Sequence, residues 1–153
     1  MPRSIARRAV GAGSVFVDTG AWLALFSAHD RHHGRAERLF RHAASRRAKL
    51  ITTNLVLAEM HRLLLFRAGA RPAAVALARV DESALVTVEF PGHAQHQAAR
   101  EWLTRLANHP ITYTDAVSFS VMETVGCRRV MTFDTDFSVA GFERWAPQIR
   151  LAP

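Results

Sequence analysis

Five carboxylates carry the chemistry this chain is equipped to do: Asp18, Glu59, Asp115, Asp134 and Asp136. The last two stand in MTFDTDFSV, residues 131–139, where an apolar run stops at two aspartates flanked by phenylalanines. A carboxylate at a strand end has an ordinary use, as the cap of the next helix or the start of a turn. A second use appears when more carboxylates converge on it. Crowded acids raise one another's pKa unless a divalent cation neutralises them, and hard oxygen donors at that density suit Mg²⁺ or Mn²⁺. Taken singly, Asp18, Asp115 and Asp134 read equally well as helix caps. Glu59 reads equally well as the ion-pair partner of Arg62, one turn later. Only the elements that carry these residues decide whether they meet.

Those elements alternate. SVFVD is a short apolar strand ending at Asp18, followed by TGAWLALFSA, apolar at helical spacing. RAERLFRHAASRR is an amphipathic helix with Ala36, Leu39, Phe40 and Ala43 on one face and a basic outer side. KLITT is a second strand, and Thr53 or Asn54 caps the long helix that stops at Gly69. Pro72 suits the first turn of a further helix, PAAVALARV. LVTVEF is a third strand, HAQHQAAREWLTRLAN a helix, and Thr114 or Asp115 caps the helix DAVSFSVMETVG. RRVMTF is a fourth strand, and IRL near the C-terminus a fifth.

This pattern predicts one α/β domain: a central parallel sheet of four to five short strands with helices on both faces. Residues 15–153 form the domain, and 1–14 a flexible basic leader. In such sheets ligands bind beyond the carboxyl ends of the strands. Asp18, Asp115, Asp134 and Asp136 all reach that rim. Glu59 is the odd member, because its helical face (Leu55, Ala58, Leu63, Phe66) is otherwise apolar and reads as core. A carboxylate there costs several kcal/mol unless paired or bound to a cation.

Charge adds a partner class. With 20 Lys plus Arg against 13 Asp plus Glu the chain carries a formal +7, which attracts polyanions, nucleic acid above all. Lys49 is the only lysine, and part of the Arg excess reflects coding composition. A basic protein around an acidic, Mg²⁺-type cleft is the electrostatic plan of a metal-dependent nuclease. No run is long enough to span a membrane, the N-terminus lacks the apolar core of a signal peptide, and the lone Cys127 fits a reducing cytoplasm. The histidines (His29, His32, His33, and the pair His93 and His96) complete no zinc ligand set and read as polar surface or packing. Trp22 and Phe26 read as core.

VFVDTGAWLALF, TTNLVLAEMHRLL and TYTDAVSFSVMETVGCRRVMTFDTDF, in that order and spacing, resemble the PIN-domain ribonucleases, and among them the VapC-type toxins of toxin–antitoxin pairs. The resemblance covers Val15 to about Trp145. It implies that Asp18, Glu59, Asp115 and Asp134 are the catalytic acids, and that with Asp136 they hold one or two Mg²⁺ or Mn²⁺ ions. Thr19 and Thr132 match hydroxyl positions that hydrogen-bond the acids or a water. The implied activity is hydrolysis of phosphodiester bonds in RNA, tRNA or rRNA, with Arg31, Arg35 and Arg38 as candidate phosphate contacts. Implied partners are a small VapB-like antitoxin and a second copy of the chain, with the 54–84 helix pair as contact surface. DTG departs from the commoner Asp-Thr-Ser or Asp-Ser-Asn opening at Gly20, which loosens support around the first acid.

Two rivals belong to other classes. A basic domain that binds nucleic acid without cutting it would tolerate loss of an acid, and none is lost. A phosphatase with Asp-x-Asp after its first strand fails on order, because here that pair comes last.

Overall fold

In the computed structural model, residues 13–149 are described. Of the leader, residues 1–12 lie outside them. Ser14 belongs to the fold: it is buried, and its carbonyl accepts a hydrogen bond from the Cys127 thiol at 3.4 Å.

The elements are β1 (Val15–Val17), α1 (Thr19–Phe26), α2 (His33–Ser45), β2 (Leu50–Thr53), α3 (Asn54–Ala68), α4 (Ala70–Glu82), β3 (Val86–Glu89), α5 (His93–Arg105), α6 (Tyr113–Val125), β4 (Arg129–Met131), α7 (Asp136–Val139) and β5 (Glu143–Arg144). The five strands form one sheet in the order β3-β2-β1-β4-β5, and every pairing is parallel. Right-handed crossovers in this order put α1–α4 on one face and α5–α7 on the other. The chain leaves β1 toward β2 and later returns to β4 on the opposite flank. The β1–β4 seam is therefore the point at which strand order reverses, where sheets of this kind open a crevice at their carboxyl ends.

Short strands can be this regular because both faces are covered. All three residues of β1 and all four of β2 are buried. On the α5–α7 face the filling is aromatic: Phe119 meets Phe137 edge-on at 5.0 Å and Trp102 at 5.3 Å. On the other face Trp22 is buried against Phe40, and its indole N–H donates to Thr52 Oγ1, which itself donates to the Val17 carbonyl. That chain of bonds satisfies two polar groups inside the core and ties β1 to β2.

Three expectations need correction. The fifth strand is Glu143–Arg144, not IRL; Ile149 is in no strand, and Arg150 and Leu151 lie outside the described residues. Two charged residues on a solvent edge leave no apolar signature to read. The cap of α6 is Thr112, whose hydroxyl accepts from the Asp115 N–H at 3.1 Å, rather than Thr114 or Asp115. Finally, the buried face of α3 is Val56, Leu57, Met60 and Leu64. Leu55, Ala58, Leu63 and Phe66 lie off it, with Phe66 77% exposed, so Glu59 sits at a half-buried margin and not on the core side.

Candidate active site

Asp18 is the N-cap of α1 and is buried at the end of β1. One carboxylate oxygen accepts from the Thr19 N–H at 2.6 Å and the other from the Thr132 hydroxyl at 3.0 Å. Its own N–H donates to the Met131 carbonyl, so the acid is clamped across the β1–β4 seam. Thr132 Oγ1 also accepts from the Asp134 N–H at 3.3 Å, which sets the turn that carries Asp134 out to solvent. Asp134 in turn accepts from the Asp136 N–H at 3.1 Å. The Arg144 guanidinium holds the Asp134 carbonyl from β5.

Asp115 arrives from the other side of the sheet, in the first turn of α6. The Thr112 N–H and hydroxyl donate to its carboxylate at 3.0 and 2.8 Å. This reciprocal capping box fixes the helix start and the carboxylate together. Glu59 reaches the group from α3, where it accepts from the Thr19 hydroxyl at 3.4 Å. Arg62 makes no ion pair with it and lies over the Phe66 ring instead.

Four of the acids feel one another's charge. Burial, then Asp134, then Asp115 push the Asp18 carboxyl well above the usual carboxylate range, against hydrogen bonds from Thr132 and Thr19. Burial also raises Asp115, with Asp134 adding and Thr112 opposing. Asp136 is raised by burial, then by Asp134 and Asp115, and is partly relieved by His109. Glu59 joins through Thr19. As they stand, no three His, Cys, Asp or Glu side chains among the described residues are gathered closely enough to hold a metal ion. The donor set is nonetheless all hard oxygen, open to solvent at Asp134, and under mutual repulsion that a divalent cation relieves.

The candidate arginines divide. Arg31 is exposed and donates to His32. Arg35 lies over Phe133 at 5.7 Å, and His32 stacks on the same ring at 4.4 Å, so the start of α2 is fastened beside Asp134. Arg38 is exposed one turn further on. Of the other histidines, His33 bonds the Ala24 carbonyl and His96 the Tyr113 hydroxyl. Thr112 and His109 are site neighbours that sequence reading missed. Thr112-x-x-Asp115 has the spacing of a capping box and was detectable in principle; nothing local marks His109.

A PIN domain model matches residues 15–143. This chain belongs to the PIN-domain family. Within the family it is of the VapC type: it is 42% identical over 134 residues to the 23S rRNA-specific endonuclease VapC20 of Mycobacterium tuberculosis, in strains CDC 1551 and H37Rv. The match spans 88% of this chain and 99% of the relative. The crystal structure of Mycobacterium tuberculosis VapC20, described as a sarcin–ricin loop cleaving toxin, superposes with a TM-score of 0.80 at 40% identity, covering 88% of this chain and all of that one. The acids therefore occupy the carboxyl-end crevice of a PIN fold. Among the described residues no helix is long and apolar enough to cross a membrane.

Proposed function

We propose that this protein is a divalent-metal-dependent endoribonuclease of the VapC type, that Asp18, Glu59, Asp115 and Asp134 are its catalytic acids, and that its substrate is the sarcin–ricin loop of 23S rRNA. The observation that carries the reading is the Asp18–Thr132–Asp134 bridge. It ties the Asp18 carboxylate to the backbone N–H of Asp134, residues from opposite ends of the chain, at the strand-order reversal, with Asp115 close enough to raise Asp18 further. Identity of 42% across nearly the whole of a 23S rRNA-specific relative supports the substrate.

Asp18, Glu59, Asp115 and Asp134 would hold Mg²⁺ or Mn²⁺, with Asp136 at the margin. The chemistry such an ion supplies when bound is acidification of water and neutralisation of the scissile phosphate. The chain's own groups set the stage. Thr19 and Thr132 fix both Asp18 oxygens, Thr19 orients Glu59, and Thr112 orients Asp115. Without a cation the rim repels RNA, so substrate and metal are admitted together. Arg35, over Phe133, and Arg31, bonded to His32, offset that repulsion and position the phosphate backbone. Leu65, Phe66 and Val75 leave apolar surface exposed on α3 and α4, which supports a protein partner there: a VapB-like antitoxin or a second copy of the chain. Its place of action is the cytoplasm, where the rRNA is.

The test is incubation with ribosomes or total RNA in Mg²⁺, Mn²⁺ or EDTA, alongside Asp18→Asn. Expected is a discrete cut in 23S rRNA that needs metal and disappears in the variant. Cuts that persist in EDTA or in Asp18→Asn would sink the carboxylate mechanism. A metal-dependent cut elsewhere would sink only the substrate. RNA bound but left whole by both proteins would favour a non-cutting nucleic-acid-binding domain.

A further inference from the structure

At the opposite end of the sheet from the acids lies a cavity of about 750 Å³. It opens at the amino ends of β1, β2 and β4, and its roof is the segment after β5. Its lining includes His42, Arg46, Arg47, Lys49, Arg129 and Trp145, and contains no Asp or Glu. His42 packs on Trp145 with ring centroids 5.8 Å apart, so one wall is aromatic. Cations are favoured at a helix C-terminus, which accounts for one or two arginines after α2 but not for Lys49.

Two observations join this cavity to RNA. The first is α2 itself. Its N-terminal end is fastened beside Asp134 through His32, Arg35 and Phe133, and its C-terminal end supplies His42 and Arg46 to the cavity. Arg35, Arg38, His42 and Arg46 follow one another at spacings of three and four, a single basic stripe along the helix. At about 1.5 Å per residue the stripe spans roughly 16 Å, the reach of a few nucleotides. The second is Arg47, the only non-glycine among the described residues with positive φ, at 50°. It stands just past α2, where glycine is the undemanding choice. A long cationic side chain in a left-handed conformation is a backbone cost set beside a ligand-sized cavity, and strain of that kind gathers at functional sites.

We infer that this cavity is a second RNA-binding site, which grips the phosphate backbone with Arg46, Arg47 and Lys49, stacks a base on Trp145, and is joined to the acid rim by the α2 stripe. The inference rests on the endoribonuclease reading above. The cavity anchors a structured substrate at a distance from the cut, so it selects long or folded RNA over short fragments. Aromatic stacking beside a cationic track is how single-stranded segments are held without base-specific contacts.

The experiment is fluorescence anisotropy with two labelled RNAs, a sarcin–ricin-loop hairpin and a dinucleotide too short to bridge the two ends. It uses Asp18→Asn as the parent, and wild-type cleavage is followed in parallel. Adding Arg46→Ala with Arg47→Gly should weaken hairpin binding about tenfold and flatten the dependence of log affinity on log salt by about 1.5, the loss of two phosphate contacts. Dinucleotide binding should stay within about twofold, because that probe engages the rim alone. Arg47→Gly should be at least as heat-stable as the parent, since it relieves the positive φ, so lost binding is not lost folding. Arg100→Ala, an exposed charge on α5, is the control and should leave binding unchanged. Hairpin affinity and salt slope equal to the parent's, with cleavage intact, overturn the second site alone. An equal loss from Arg100→Ala overturns it in favour of net charge. A parent that binds neither RNA, with no cleavage by the wild type, overturns the endoribonuclease reading beneath it.

Discussion

The two ends of this sheet are built by opposite rules. At the carboxyl end the charged groups are short, hydrogen-bonded and partly buried: Asp18 is 4% exposed and held at both oxygens. At the amino end Arg46, Arg47 and Lys49 are long and exposed, on a helix terminus and the loop that follows it. The acids repel one another and are kept together by the fold. Arg46, Arg47 and Lys49 also repel, but each can swing toward solvent, so their crowding costs little until a ligand organises them. A site that positions atoms for chemistry needs the first arrangement, and a site that catches a flexible polyanion needs only the second.

Neutralising the acid end is the sharpest way to test that difference. In metal-free buffer Asp18→Asn should melt at a higher temperature than the wild type at neutral pH. The folded Asp18 pKa is raised above its unfolded value. Its contribution to stability is therefore fully present below the unfolded pKa of about 3.9 and is lost as pH rises through the folded one. The advantage of the variant should shrink as pH is lowered from about 8 toward about 4. Mg²⁺ or Mn²⁺ should raise the wild-type melting temperature, by about 2.7 kcal/mol of stability at a hundred times Kd, and raise Asp18→Asn less. Identical melting of both proteins in EDTA at every pH would mean that the fold does not bear the acid repulsion.

A smaller effect is expected at the hinge of the cluster. Thr132→Val removes the donor to Asp18 and the acceptor for the Asp134 N–H at nearly constant volume. It should lower stability by about 1–2 kcal/mol in denaturant titrations and reduce cleavage. Unchanged stability would show that Asp18 is held by Thr19 alone. The smallest effect belongs to Gly20, where an added Cβ would meet nothing within 4 Å. Gly20→Ser should fold as well as the parent or better, within about 0.5 kcal/mol, and restore a hydroxyl where the DTG opening lacks one. A clear loss of stability would refute the room seen there.

Much of this molecule was legible beforehand because β-branched strands alternate with helices between clear punctuation. Asp18, Asp115 and Asp134 all stand at strand ends or helix starts, where the parallel-sheet rule already directs them to one rim. The long helix α3 was legible as a helix but not in its orientation. It is apolar nearly all round, so its period does not say which stripe is core. The stripe read as core carries Phe66, which is exposed, and that misplaced Glu59. β5 and α7 escaped because four-residue and two-residue elements have no period to detect. The basic cavity escaped for another reason. Arg46, Arg129 and Trp145 are scattered along the chain and meet only through the parallel register of β1, β2 and β4.

That register also has a consequence in time. Val15–Val17 can pair with β2 soon after synthesis begins, but the other flank of β1 waits for Arg129–Met131. Asp18 and Thr132 are 114 residues apart. On a ribosome the acid cluster therefore cannot assemble until the segment with Thr132 and Asp134 has emerged, and a product truncated just before Thr132 carries Asp18, Glu59 and Asp115 without the groups that complete them. A protein whose proposed target is ribosomal RNA thus gains its proposed cutting site only after Thr132 and Asp134 have emerged from the machine that makes it.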